Sequence, residues 1–408
     1  MKYRHLLISI ILFLIGFFFV ESVYAAAFQL YELGTPIIGT AGVGQAAVAN
    51  DASTAYFNPA GMALLPSSEI MIGSQGALPY TNFQANGANT IPGNNGGNAG
   101  TIAPGVDFFY VYSMTPKLKL GVSLTTPYYG SLDYNNGWVG RYEVQQIYFY
   151  ALDLNPVISY RLTDWASIGG GFTIEYANLN ETVAVPIIPD ILDGQAAFKV
   201  DNTSSGFNLG VLLQPTKMTK VGVAYRSQII HHLNGDVSFA NLAGVPNAST
   251  KMVMPSNVIA SIMQQITDKF ALLGELGWAD WSSMRDNVIF IKDVTIVIPQ
   301  NWHNTYRVGL AGQYQFTPAF LFELGGSYDS SPTTSDARTA ELPMDRQLRL
   351  GTGITYAILK PVKLGLSYEY INLGKASIDN ASADGVFSGK YSRNFTNIFQ
   401  LSLNVAMG

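Results

Sequence analysis

The sequence predicts an all-β transmembrane barrel of fourteen antiparallel strands, with an N-terminal segment folded into its lumen. Three observations carry that expectation. Composition is poor in charge and rich in aromatic residues and glycine, apolar residues alternate along strand-length segments, and the connections are short and long by strict turns. The 408 residues include 40 glycines, 23 tyrosines and 22 phenylalanines, and 12% are charged, about half of the roughly 25% usual in soluble domains. Mean hydropathy is only +0.17, too low for a helical membrane bundle but suited to a wall that meets lipid on one face. Composition alone also admits a soluble all-β protein. The net charge of −5 and the lack of a basic patch argue against a nucleic-acid partner. There is no cysteine, hence no disulfide, thiolate metal site or lipidated N-terminal Cys. No cofactor and no metal is expected.

The N-terminus reads as a secretory signal. Lys2 and Arg4 form a basic start, and Leu6 to Val20 is an almost wholly apolar run of 15 residues, short of the roughly 20 needed to span a bilayer as a helix. Val23-Tyr24-Ala25 is a small-x-small cleavage site, which assigns residues 1–25 to the signal. An uncleaved anchor helix is the alternative. Losing Lys2, Arg4 and Glu21 takes the net charge from −5 to −6. No later segment approaches 18 consecutive apolar residues, so any further crossing is by strands.

Period-two alternation then recurs along the chain. Within 219–229, Val221, Val223, Tyr225 and Ile229 share one face, with Ser227 the exception; Gly222, Ala224, Arg226 and Gln228 share the other. Within 362–372, Val362, Leu364, Leu366, Tyr368 and Tyr370 oppose Lys363, Gly365, Ser367 and Glu369. Within 320–328, Phe320, Phe322, Leu324 and Tyr328 oppose Leu321, Glu323, Gly325 and Ser327. One face is aromatic and aliphatic; the other collects glycine and charge, as in a wall that is apolar outside and polar inside. Short turns fall near 115–117, 162–164, 215–219, 267–269, 317–319 and 360–361. Between them lie longer Gly/Asn/Asp/Ser-rich stretches at about 81–104, 129–140, 181–197, 231–250, 283–301, 331–342 and 375–389. Six short and seven long connections join fourteen strands. One turn side and one loop side is the arrangement of bacterial outer-membrane barrels and not of a soluble sandwich, and both termini then lie on the periplasmic side.

The barrel wall takes residues 69–408, which leaves 26–68 without a strand. This segment is rich in Gly, Ala and Asn, and its stretch NDASTAYFNPAGM (50–62) is broken by Pro59 and Gly61. A barrel of this size leaves room inside, and irregular backbone is tolerated at membrane depth only where protein or water surrounds it. Residues 26–68 are therefore expected to plug the lumen.

The same residues carry a family resemblance. AAFQLYELG, GTAGVGQAAVANDAST and YFNPAGMALL, all within 26–65, resemble the N-terminal hatch of the FadL family of outer-membrane transporters for long-chain fatty acids and hydrophobic compounds. GWVGRY (137–142), VGVAYRSQI (221–229), GELGWADWS (274–282), NTYRVGLAGQY (304–314), GGSYDSSP (325–332), MDRQLRLGTGITY (344–356) and LGLSYEYINLG (364–374) follow in the same order. The resemblance covers essentially the whole mature chain. It implies a fourteen-stranded barrel and a hatch whose Asn-Pro-Ala element is here Asn58, Pro59 and Ala60, with a seating or gating role. Asn-Pro is also an ordinary turn initiator. The resemblance further implies capture from outside, binding in the lumen and release through an opening made by a kinked third strand. That strand reads LKLGVSLTTPYY (118–129), where Pro127 cannot donate to a ladder and Gly121 and Gly130 loosen the chain. In one respect the chain departs from the family: NIFQLSLNVAMG (397–408) ends without the closing aromatic.

Strand parity places Arg226, Arg307, Arg349, Lys363, Glu275, Glu323 and Glu369 in the lumen. A carboxylate-bearing ligand would be met by one of the cations, Arg above all in bidentate geometry; the alternative role for these charges is pairing across the barrel to brace it. Arg141 stands at a loop–strand edge. His231 and His232 fall in an expected external loop, without a carboxylate cluster beside them. No Gly-x-Ser-x-Gly elbow or HExxH helix is present, so no catalysis is expected. The sequence reads as a passive, monomeric channel for hydrophobic molecules, long-chain fatty acids first. Apolar external stretches such as Val185–Leu192 would capture the cargo, and the expected partners are outer-membrane lipid, lipopolysaccharide and the barrel-assembly machinery. Uptake of aromatic hydrocarbons, a general porin and a surface receptor or adhesin are the rival readings.

Overall fold

In the computed structural model, residues 29–407 are described except 32, 189–191, 240–244, 285, 292–293 and 383–384. The signal at 1–25 lies outside them. Nineteen strands form one continuous sheet. Fourteen make the wall: β1 (Ser68–Ala85), β2 (Ala103–Ser113), β3 (Leu118–Asp133), β4 (Gln146–Arg161), β5 (Ala166–Ile188), β6 (Leu192–Thr216), β7 (Thr219–Arg226), β10 (Asn257–Gln265), β11 (Phe270–Ala279), β14 (Thr305–Thr317), β15 (Phe320–Asp329), β16 (Gln347–Leu359), β17 (Val362–Asn372) and β19 (Gly385–Met407). Each pairs antiparallel with the next, and β1 closes the ring on β19 from Ser68↔Met407 to Ala85↔Gly389. Closure gives every wall strand a partner on both sides, the condition for strands to stand in lipid, and the β2–β3 ladder stops short.

The strands form because their side chains alternate. In β4, Ile147, Phe149, Ala151, Asp153, Asn155, Val157 and Ser159 are buried, while Tyr148, Leu152, Leu154, Ile158 and Tyr160 are exposed on the outer face. The exposed side is the lipid-facing one, so it is greasy; the enclosed side holds the carboxylates and amides.

Five further strands occupy stretches read as loops from the sequence. β8 (Ile229–Phe239) and β9 (Val245–Met254) form one external hairpin, β12 (Asp286–Ile291) and β13 (Val294–Pro299) another, and β18 (Ile378–Ser382) pairs with β19. Two expectations change as a result. His231 is not in a loop but on β8, buried, with its Nε2 2.8 Å from the Glu175 carboxylate. Ile229 is not on the lipid face. β7 ends at Arg226, the Ser227 hydroxyl accepts the Phe207 amide at 2.9 Å, and Ile229 turns inward as β8 begins. The third strand also runs four residues past Tyr129, to Asp133.

At the loop end an aromatic cap closes over the barrel. Tyr134 stacks on Trp138 at 3.8 Å, and the hydroxyls of Tyr134 and Tyr391 lie 2.7 Å apart. Phe83 and Phe387, 5.0 Å from each other, both meet Trp138 edge to face. Arg141 pairs with Asp193 at 2.6 Å and donates to the Pro92 carbonyl, so the GWVGRY stretch folds the external connection inward. Among the described residues no helix is long and apolar enough to cross a membrane.

Candidate functional site

The site is built from the N-terminal segment, the inner face it touches and a break in the wall. Residues 29–67 run along the lumen side as short turns: 3-10 helices at Pro36–Thr40 and Pro59–Leu64 and one α-turn at Thr54–Phe57. Glycines on the inner face let their backbone come close. A side chain at Gly351 would collide with the Ile38 carbonyl, at Gly325 with Thr40, at Gly222 with Ala46 and at Gly73 with Gly34.

Asn58, Pro59 and Ala60 are fully or almost fully buried. Asn58 caps the second 3-10 helix: its Oδ1 accepts the Ala60 amide at 3.2 Å, and Pro59 takes the first helical position, where a missing N–H costs nothing. The Asn58 side-chain amide donates to the Ala46 carbonyl at 2.6 Å and to Val211 of β6 at 3.1 Å. Ser167 and Ser159 of the wall donate to the Ala60 carbonyl at 2.8 and 3.3 Å. The turn-forming Asn-Pro pair is thus also the joint between segment and wall.

The lumen charges fall into two groups. On β11, β14 and β15, the Arg307 guanidinium bonds Glu275 at 3.2 Å, Asp329 at 3.1 Å and the Ala41 carbonyl at 2.6 Å, and it lies 4.4 Å over the Tyr31 ring. Glu275 in turn accepts the Gly44 and Gln45 amides at 2.9 and 3.0 Å. Arg349 meets the same Asp329 at 3.1 Å and lies 3.8 Å from Glu369. Glu323 accepts from Gln313 at 2.7 Å, and half-buried Lys363 stands opposite Asn404 on β19. Further round the wall, on β7, Arg226 donates to the Tyr56 carbonyl at 2.7 Å and stacks 3.5 Å over its ring, 3.8 Å from Asp153. Asp153 stands directly opposite Glu175 across strands. Asp107, Asp153, Glu175 and Asp329 were not singled out from the sequence, and His231 was read only as a loop residue. Inward parity marks the strand carboxylates among them, but only the fold brings five strands of partners together.

Gly121, Pro127 and Gly130 all lie on β3. The β2–β3 ladder runs only from Ser113↔Lys119 to Phe108↔Leu124. Beyond it β2 stays paired to β1 and β3 to β4, with an irregularity between Thr125 and Tyr128 around Pro127. The wall therefore parts into two lips, 103–107 and 125–130, and closes again where Gly100 bridges Leu132 and the Asp133 amide donates to the Ala99 carbonyl at 2.8 Å. In the gap, the Leu30 amide donates to the Pro127 carbonyl at 2.8 Å and Gln29 bridges to Tyr128. Gly121 sits earlier, against Met62 of the segment, and Gly130 on the far lip.

A cavity of about 150 Å³ opens behind the gap. Ala103, Pro104 and Gly105 line it from one lip and Thr126, Tyr129 and Gly130 from the other; Gln29 and Leu30 close one side, and Ala77, Leu132, Ile371 and Ile398 give it an apolar body. Gln347 and Arg349 stand at its polar side and Glu341 and Met344 at its roof. Side chains of 187–192 lie outside the described residues, and with them most of the Val185–Leu192 stretch. Among the described residues no group of three or more His, Asp or Glu could hold a metal ion.

The family described as outer membrane protein transport protein (OMPP1/FadL/TodX) matches residues 17–405. The long-chain fatty acid transport protein of Escherichia coli O6:H1 is 22% identical over 90% of this chain and 91% of its own. The Pseudomonas aeruginosa FadL homologue superposes with a TM-score of 0.87 at 21% identity, over 94% of this chain and all of that one. The P. putida toluene transporter TodX does so at 0.69 and 13%, over 94% and 99%. A closed fourteen-strand barrel whose sequence matches the family from end to end leaves one conclusion: the chain belongs to the OMPP1/FadL/TodX family of outer-membrane transport proteins for hydrophobic compounds.

Proposed function

We propose that this protein passes long-chain fatty acids from the outside into the outer membrane without energy coupling. The cargo enters under the external loops, rests in the cavity between Arg349 and the β2–β3 gap, and leaves sideways into lipid. The observation that carries this reading is the continuity of one apolar cavity from the Arg349 side to both lips of the gap. A side exit spares the solute a return to water, which is worth about 0.8 kcal/mol per methylene. Residues 26–68 act as the hatch, seated by Asn58, Pro59 and Ala60, and residues 69–408 form the channel after removal of 1–25. The lumen charges brace the barrel and hold the hatch, since Arg226, Arg307 and Arg349 each face a carboxylate.

A second cargo is favoured by one number. The cavity, at about 150 Å³, is below the roughly 300 Å³ where pockets for larger ligands begin. One aromatic ring fills it as it stands, whereas a long acyl chain needs Gln29 and Leu30 to withdraw. The experiment is uptake of labelled oleate, with toluene in parallel, in a host lacking its own outer-membrane fatty-acid transporter. The chain and its Asn58→Ala, Pro59→Ala variant are compared at equal surface levels. Oleate uptake that the variant alters is the expected result. Toluene entry alone moves the cargo to aromatics, and entry of neither solute into cells with an assembled barrel sinks the transport reading of this site.

A further inference from the structure

The break between β2 and β3 has one buried carboxyl at its apex. In an antiparallel ladder the pairs after Phe108↔Leu124 would be Asp107 with Thr125 and Val106 with Thr126. Those pairs do not form. Instead the Thr126 amide donates to Asp107 Oδ1 at 3.0 Å. Asp107 is 1% exposed, and no described Lys, Arg or His makes an ion pair with it. A buried carboxyl without a cation is costly, so its presence at this position calls for a specific partner. Thr126 is that partner, and Thr126 belongs to the lip that lines the cavity. The other carboxylate oxygen faces the N-terminal segment: a side chain on Gly34 would come within 3.1 Å of Oδ2. Gly34 is itself tied to the wall, its amide to Gln75 at 3.1 Å and its carbonyl to Gln400 at 3.1 Å. One side chain thus stands where the fixed strand, the departing strand and the hatch segment meet.

We propose that Asp107 is the latch of the side opening, a positioning residue that takes over from the ladder where β3 leaves β2 and sets how far the 125–130 lip swings. This rests on the reading of the opening as the exit. A continued ladder would shut the wall; at the apex one side-chain bond stands in for it and breaks without unzipping the ladder below, while the far end of the lip is held separately by Thr101 on Ser131 at 2.6 Å and by the Asp133 amide on the Ala99 carbonyl at 2.8 Å. Asp107 acts through the β3 backbone and not on the cargo.

Because the chain has no cysteine, spin labels on a Val106→Cys, Thr126→Cys pair report the lip separation alone. Uptake is measured in the same Asp107 variants without labels, and heat-modifiable migration checks assembly. Asp107→Ala is expected to raise the long-distance population about tenfold, the size of one lost hydrogen bond, and to speed uptake. Asp107→Asn keeps an oxygen that accepts from Thr126 and is expected to hold both near wild type; Asp107→Leu replaces Ala if Ala does not assemble. Unchanged distances in the Ala or Leu variant overturn the latch, whatever uptake does. An Asn variant as wide as Ala also overturns it. Wider distances with unchanged uptake uphold the latch and refute the exit.

Discussion

The two sides of the barrel treat the N-terminal segment differently. On the β11–β15 side the segment is fastened: Glu275 grips two consecutive amides, Arg307 holds the Ala41 carbonyl, and Asp329 joins Arg307 to Arg349. On the β2–β3 side the wall itself parts, and the first described residues of the chain, Gln29 and Leu30, sit in the gap through the Leu30–Pro127 hydrogen bond and the Gln29–Tyr128 bridge. Contrast the β5–β6 ladder, which continues from Ala166↔Leu213 to Ile188↔Leu192, with the short β2–β3 one. The difference teaches that the segment is fastened on one side of the barrel while the wall parts on the other; under the proposed exit, a solute would displace the segment's first residues without unseating its body.

The test with the largest expected effect removes the anchor. Arg307→Ala leaves Glu275 and Asp329 buried without their shared cation, at a cost of about 3–5 kcal/mol. Hydrogen exchange at residues 36–48 should accelerate while the wall strands stay protected, and channel conductance should rise. If 36–48 stay protected, the anchoring side has been misassigned. Next comes Asn58→Ala, which takes the side-chain donor from Ala46 and Val211 and should cost about 1–3 kcal/mol. Exchange at 54–64 measures it, and protection equal to wild type would reduce Asn58 to a simple turn residue.

A smaller effect depends on pH at the cavity roof. Burial, reinforced by Glu181 and Glu143 alongside, holds the Glu341 carboxyl well above the usual carboxylate range. The folded state then binds a proton the unfolded state has released. Stability of the cap is full below an ordinary carboxylate pKa of about 4.3 and falls as pH rises through the raised value, by at most about 1.4 kcal/mol per pH unit for one proton. Glu341→Gln should flatten that slope in melts taken from acid to neutral pH; an unaltered slope would place the pH response elsewhere. The smallest effect is expected at Pro127→Val, which restores an N–H to the lip. About 1 kcal/mol of added ladder should slow uptake modestly, and faster uptake would mean that the proline holds the gap closed.

Much of the fold was legible from residues one at a time. Alternation in β7, β15 and β17 gives the faces, and the turn lengths give fourteen wall strands. The five external strands were not legible: His231–Gly235 and Ile289–Ile291 pair with partners far along the chain in polar stretches that carry turn residues. Inward parity placed Arg307, Arg349, Glu275 and Glu369 on the lumen face, but not Asp329 between the two arginines, because Asp329 closes β15 where the alternation runs into a loop.

Sequence by itself determined that this chain is a wall of alternating strands with a leftover segment that cannot span, since side-chain period and turn chemistry are local properties. Tertiary structure alone decided what the inner glycines are for, which carboxylate meets which arginine, and where the wall parts. Gly222, Gly325 and Gly351 look like flexible strand residues until Ala46, Thr40 and Ile38 are seen against them. The gap at Pro127 needed both ladders of β3 in view. Close approach and register depend on residues hundreds of positions apart, and no local pattern encodes them.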